Sequence, residues 1–137
     1  MSLSKEVVTE RSIYAELEVD EFKKIQSELS NEMVIIKFGA TWCAPCKKIK
    51  SLCEEWFSKL PSNVILFDID IDETMELYMA FKKYKMVNGI PAILAFYSKK
   101  DNWYIPDDSV SGGDLSGVNS FFVRCNQNAN TLKMNIH

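Results

Sequence analysis

Met33-Val34-Ile35-Ile36-Lys37-Phe38 is a short apolar run rich in β-branched residues, and few folds accommodate one: it suits a strand buried on both faces of a sheet. Such a strand needs cover on each side. The following segment supplies some, because Ile49, Leu52, Cys53, Trp56, Phe57 and Leu60 fall on one face of a helix. Pro61-Ser62-Asn63 ends that helix, and Val64-Ile65-Leu66-Phe67-Asp68-Ile69-Asp70-Ile71 reads as a second buried strand.

The flanks continue the alternation. Phe22, Ile25 and Leu29 form an apolar stripe that predicts a first helix near 19–30, with Asp20 as its N-cap. Met75, Tyr78, Met79 and Phe81 among charges predict a helix over 73–84, left through the turn signal Asn88-Gly89. Pro91 to Tyr97 reads as a strand with proline first, where a missing N–H is tolerated. Asn102 to Ile105 and Ser109 to Ser111 read as one antiparallel strand, interrupted by Pro106-Asp107-Asp108 and ended by Gly112-Gly113. Leu115, Val118, Phe121, Phe122 and Cys125 mark a last helix capped by Asp114. The order helix, strand, helix, strand, helix, strand, strand, helix predicts an α/β sheet covered on both faces. Residues 1–11 read as a loose arm, 12–126 as the domain and 127–137 as a flexible tail, because the stretch from Asn126 to His137 is rich in Asn and lacks a period.

Composition narrows the functional classes. With 137 residues, 47% of them hydrophobic, the chain can bury one sizeable core. A net charge of −3 leaves no excess of lysine or arginine to neutralise a phosphate backbone, so nucleic acid is not an expected partner. The longest apolar stretches, around Met33–Ile36 and Ile90–Tyr97, are too short to cross a bilayer. The first eight residues carry no continuous apolar segment and no small-residue cleavage pattern, which predicts a cytoplasmic, reducing setting. Four cysteines, at 43, 46, 53 and 125, are too few and too clustered for a disulfide framework there.

Cys43 and Cys46 are the pair that points to chemistry. Two cysteines separated by two residues, where a strand run hands over to a helix, can close a small disulfide ring. Cys43 falls at the helix N-terminus, where unpaired backbone N–H groups and the dipole stabilise a thiolate and bring its pKa below about 8.5. It is the expected nucleophile and the more exposed sulfur. Cys46, about one turn inside the helix and facing the core, suits the resolving role. Pro45 occupies the first turn, where its missing N–H costs nothing. The C-x-x-C spacing also serves zinc sites; that needs a second ligand pair, which Cys53, Cys125 and His137 do not form in any known pattern.

The segment Phe38-Gly39-Ala40-Thr41-Trp42-Cys43-Ala44-Pro45-Cys46-Lys47 resembles the thioredoxin active-site sequence, F-x-A-x-W-C-G-P-C-K. Phe67 to Asp72 resembles the family's third strand and Gly89-Ile90-Pro91-Ala92 its cis-proline loop, so the resemblance covers about residues 13–125. It implies a thioredoxin fold, a central mixed sheet of four to five strands flanked by helices on both faces. It also implies a redox disulfide between Cys43 and Cys46, a cis Ile90–Pro91 bond beside it, and a substrate rim of Trp42, Ala44, Pro45, Ile90, Pro91 and Gly112. The implied activity is reduction of protein disulfides by a monomer without metal or organic cofactor, with a separate enzyme such as thioredoxin reductase restoring the dithiol. The competing readings are an interaction module with little turnover and a disulfide isomerase or oxidase.

The chain also departs from the family. Thioredoxins carry a buried aspartate six residues ahead of the first cysteine; here that position is Lys37, and Asp68 stands on the adjacent strand where bacterial thioredoxins place a lysine. Two readings are open. The side chains meet beneath the site as a proton-handling pair of reversed polarity, or Lys37 snorkels to the surface and Asp68 is solvated. The residues between the cysteines are Ala-Pro rather than Gly-Pro. Cys53 and Cys125 lie on apolar faces and read as small core residues, with a regulatory thiol as the alternative.

Overall fold

The computed structural model describes residues 11–135. Its elements are β1 (Ile13–Tyr14), α1 (Val19–Ser27), β2 (Met33–Gly39), α2 (Ala44–Lys59), β3 (Val64–Asp70), α3 (Glu76–Lys83), β4 (Ala92–Phe96), β5 (Asp108–Ser111) and α4 (Leu115–Met134). The strands form one sheet in the order β1-β3-β2-β4-β5. β3 runs parallel to β1 and β2, whereas β4 is antiparallel to both β2 and β5. The predicted α/β sheet is therefore present, with one strand that the apolar runs did not disclose: β1 has two residues, both exposed, and is too short to leave a pattern.

β2 is the middle strand and all seven of its residues are buried. A pleated strand sends alternate side chains to opposite faces. Val34, Ile36 and Phe38 join Phe22 of α1 and Leu77 and Phe81 of α3 in one core. Met33 and Ile35 join Ile49 and Phe57 of α2 and Val118, Phe121 and Phe122 of α4 in the other. The same alternation carries Lys37 to the α2 side, and the β2–β3 register sets it opposite Asp68.

Several boundaries differ from the sequence expectation for physical reasons. Helix α1 starts at Val19 and ends at Ser27, and its N-cap is Glu18, two residues before Asp20, with its N–H donating to Glu21 Oε1 at 3.4 Å, so Asp20 lies in the first turn instead. Asn102 to Ile105 is not a strand. Trp103 instead packs its ring 5.6 Å from Phe81 and 6.0 Å from Phe22, and Tyr104 stacks on Tyr84 at 3.8 Å. The connection is closed by Asp107, whose carboxylate accepts from the backbone of Tyr97 at 2.7 Å and Ser98 at 3.0 Å and pairs with Lys100 at 2.9 Å.

The expected flexible tail is also replaced by structure. Helix α4 continues to Met134, well past residue 126. Cys125 and Ala129 are buried and Leu132 packs against the same core, the i, i+4, i+7 spacing of one face. Asn63 Nδ2 fastens this turn, donating to Ala129 O at 3.0 Å and Asn31 O at 2.7 Å. Of the predicted N-terminal arm, only Arg11 is described; it donates to the carbonyls of Leu60, Pro61 and Val64 where α2 ends. Residues 1–10 of that arm, and residues 136–137 of the tail, lie outside the described residues.

Burial has chemical consequences at two kinds of group. The Cys53 thiol is pushed up to about 11, first by burial, with Lys37 pulling it down and Asp68 and Glu54 pushing it further up. Cys125 is pushed up to about 12, again chiefly by burial. Both are free thiols in the core. After reduction, the native chain is expected to show Cys43 and Cys46 alone reacting with an aromatic disulfide reagent at about pH 8, and all four cysteines only in concentrated guanidinium. Rapid modification of four thiols in the native chain would contradict this packing.

Asp107 supplies a pH test. Burial pushes its carboxyl up, but hydrogen bonds from Ser98, Tyr97 and Lys100 outweigh burial and hold it below the ordinary carboxylate value. A lowered folded pKa gives stability that is complete above the unfolded value of about 3.9 and is lost as pH falls through the folded one. Asp107→Asn is expected to cost about 1–3 kcal/mol at neutral pH in urea unfolding, the difference from wild type shrinking below about pH 4. A gap that stays constant into acid would show that the charge does not matter.

Candidate active site

Cys43 stands at the N-cap of α2, where its Sγ accepts the Cys46 N–H at 3.3 Å and Pro45 fills the first turn. The strand β2 ends at Gly39, the chain turns through Ala40 to Trp42, and the helix begins immediately. That handover brings the two cysteines together. They are joined as a disulfide with Cα atoms 5.2 Å apart. The expectation of a more exposed Cys43 is not met, since the two residues are 4% and 6% exposed. Their difference is one of position: Cys43 sits outside the first turn and Cys46 within it.

The rim assembles from four loops and helix starts. Ile90–Pro91 is a cis peptide, as the resemblance implied. Ile90 O lies 3.7 Å from Cys43 Sγ, and Pro91 O accepts the Gly112 N–H at 2.9 Å. Gly112 has φ +90°, a conformation that side chains other than glycine rarely adopt. Ala44 and Pro45 line a shallow depression with Lys48 and Gly113. Trp42 projects from the turn with 63% of its surface exposed, and its Nε1 donates to Asp72 Oδ2 at 2.7 Å.

Beneath the disulfide, Lys37 Nζ pairs with Asp68 Oδ1 at 3.3 Å, the lysine side chain 9% exposed and the carboxylate 45%. The two side chains thus meet beneath the site, while Asp68 remains half solvated. The pair opens on a cleft of about 420 Å³ whose lining includes Cys46, Cys53, Lys37 and Asp68. The zinc alternative for Cys43 and Cys46 gains no further ligands, because no group of three or more His, Cys, Asp or Glu suited to a metal occurs among the described residues. His137 lies outside them.

Three contributing residues were not foreseen. Asp72 orients Trp42, and its signal was the alternating Asp68, Asp70, Asp72 run that continues from β3 into the turn after it. Gly113 is required by close approach, since a Cβ there would meet Pro45 Cβ at 2.9 Å. Gly39 keeps side-chain atoms out of the space between Cys46 and Lys37.

Comparisons with known proteins agree with this geometry. The family model described as Thioredoxin matches residues 13–116. Thioredoxin 3 of Plasmodium falciparum (isolate 3D7) is 28% identical over 118 residues, covering 84% of this chain and 61% of that protein. Protein disulfide-isomerase 2-3 of Arabidopsis thaliana is 34% identical over 120 residues, 88% of this chain but 26% of its own length. The chain thus spans less than two thirds of these curated relatives. Among solved structures, a Malassezia sympodialis thioredoxin superposes with a TM-score of 0.63 at 25% identity, covering 84% of this chain and 91% of that one. Trypanosoma brucei brucei thioredoxin gives the same TM-score at 24% identity, over 83% and 89%, a likeness of fold. With a family model spanning most of its length and a cysteine pair closed at the start of α2, the chain belongs to the thioredoxin family.

Proposed function

We propose that the chain is a thiol-disulfide oxidoreductase that reduces protein disulfides through Cys43 and Cys46. One observation carries this reading: the two cysteines are joined as a disulfide at the N-terminus of a helix, inside a rim that leaves Trp42 open to a partner. In the reduced state the helix N-terminus stabilises the Cys43 thiolate, which attacks one sulfur of the client disulfide. Cys46 then attacks the Cys43 sulfur of the mixed disulfide and releases the reduced client. Two electrons and the dithiol protons pass from the pair to the client.

The rim residues Trp42, Ala44, Pro45, Ile90, Pro91 and Gly112 receive the client as an extended segment, with the carbonyl of Ile90 beside Cys43 supporting backbone pairing. Lys37 and Asp68, which line one cleft with Cys46, are the pair that sets the protonation of the Cys46 thiol. Both sulfurs and the whole rim come from one chain, so a monomer suffices. The cycle needs no metal or organic cofactor, but it does need a recycling reductase, of which thioredoxin reductase is the type that the family implies. A cytoplasmic, reducing compartment fits that supply of electrons; no helix among the described residues is long and apolar enough to cross a membrane.

Reduction of insulin disulfides with dithiothreitol as the electron source tests the reading. Wild type is expected to accelerate it, Cys43→Ser to fall to the uncatalysed background, and Cys46→Ser to accumulate a mixed disulfide with the client. Wild-type rates from Cys43→Ser would overturn the assignment.

A further inference from the structure

Gln26 and Lys37 are the buried polar residues among those described, and Lys37 alone of the two carries a charge. Keeping an ammonium under a sheet is costly unless something nearby uses it. Asp68 is one partner, but it sits on the solvent side and is half exposed. Cys46 lines the same cleft as the ammonium. A Cβ built on Gly39 would lie 3.4 Å from Cys46 Sγ and 3.6 Å from Lys37 Nζ, so no more than the sum of these separates the two atoms. Gly39 itself adds no side chain there.

The remaining charges around Cys46 belong to the same cleft. Lys47, Lys50 and Glu54 approach from α2, and Asp68 and Asp70 from β3; the three α2 groups are exposed and screened by solvent, and Lys50 is paired with Glu54. The neighbouring thiol registers the field of the buried pair, since Lys37 pulls Cys53 down and Asp68 pushes it up beneath the larger effect of burial.

We infer that Lys37 is a positioning residue that holds reduced Cys46 as its thiolate, which makes the Cys43–Cys46 disulfide easier to reduce and the dithiol a weaker reductant. This deepens the oxidoreductase reading and rests on it. In the mixed disulfide, the Cys46 thiolate attacks Cys43 Sγ; the bond between Cys43 and the client sulfur breaks, and the Cys43–Cys46 bond forms. The client sulfur leaves as a thiolate and takes a proton from solvent. The client gains two electrons and the pair loses two. Lys37 raises the fraction of Cys46 ready for that attack, and at equilibrium it favours the reduced pair over the disulfide.

The test is the equilibrium of the full chain with reduced and oxidised glutathione, at about pH 6 and about pH 9, for wild type, Lys37→Met, Lys37→Arg and Asp68→Asn. At the higher pH, Lys37→Met is expected to shift the equilibrium about tenfold toward the disulfide, a potential about 30 mV more negative. Asp68→Asn should shift it the opposite way, and Lys37→Arg should restore the wild-type value. At the lower pH, where the thiols are protonated, all four should coincide. An unchanged Lys37→Met at about pH 9, or shifts of the same sign in Lys37→Met and Asp68→Asn, would overturn the inference while leaving the oxidoreductase reading intact. A wild-type pair that does not exchange with glutathione at all would defeat both.

Discussion

The burial of β2 on both faces is the constraint from which the remaining architecture follows. A strand with no exposed residue must be flanked by hydrogen-bonded neighbours and covered above and below, so β3 and β4 lie beside it and two helices close each face. Its pleat then decides which side chain meets which helix. Val34, Ile36 and Phe38 are committed to the α1 and α3 side, and Met33, Ile35 and Lys37 to the α2 and α4 side. A register shift of one residue would exchange the two sets and drive Lys37 toward the rings of Phe22 and Phe81. The charged side chain thus fixes the orientation of the strand as firmly as the apolar ones do.

The active site inherits its geometry from that strand. Because β2 ends at Gly39 and α2 begins at Ala44, the connecting turn holds Cys43 at the helix N-cap, the one position where a side-chain sulfur can accept an N–H of the first turn. Glycine at 39 and at 113 allows close approach on the two sides of the disulfide, toward Lys37 on one and around Pro45 on the other. Neither glycine has a positive φ; small size is demanded at Gly113, where a Cβ would meet Pro45 Cβ at 2.9 Å, while a Cβ at Gly39 would rest in ordinary contact with Cys46 and Lys37.

Periodicity disclosed the elements that bury a whole face, and for that reason β2, α2, β3, β4 and the first turns of α4 were legible from spacing. Elements that bury little were not. β1 is two exposed residues held by pairing with β3, and pairing leaves no trace in hydropathy. The end of α4 exposes most of its Asn-rich surface and is held by Ala129, Leu132 and the Asn63 amide, a contact between residues 66 positions apart. The Asn102–Ile105 segment has aromatic residues suited to a strand, but its aromatics are spent in a tertiary cluster with α1 and α3. At the site, the cysteines and their rim were legible because a short motif specifies them. The meeting of Lys37 with Asp68 depended on the register of two strands, and the Trp42–Asp72 hydrogen bond on the turn between β2 and α2.

The two sulfurs differ less in exposure than in the source of positive potential that each one sees. Cys43 faces the N-terminus of α2, a field made of backbone dipoles that comes with any helix starting there and is insensitive to the side chains around it. Cys46 lies within the first turn, three residues on, and a second positive source near it is the ammonium of Lys37 beside Gly39. The contact with Asp68 at 3.3 Å gives the buried ammonium a partner and fixes its position. Asp68 in turn is exposed enough for solvent to screen it, so the pair does not present equal and opposite fields to the sulfur. The buried member dominates. Reversing the polarity of a pair under a disulfide, one member buried and the other half exposed, therefore changes the field at the sulfur.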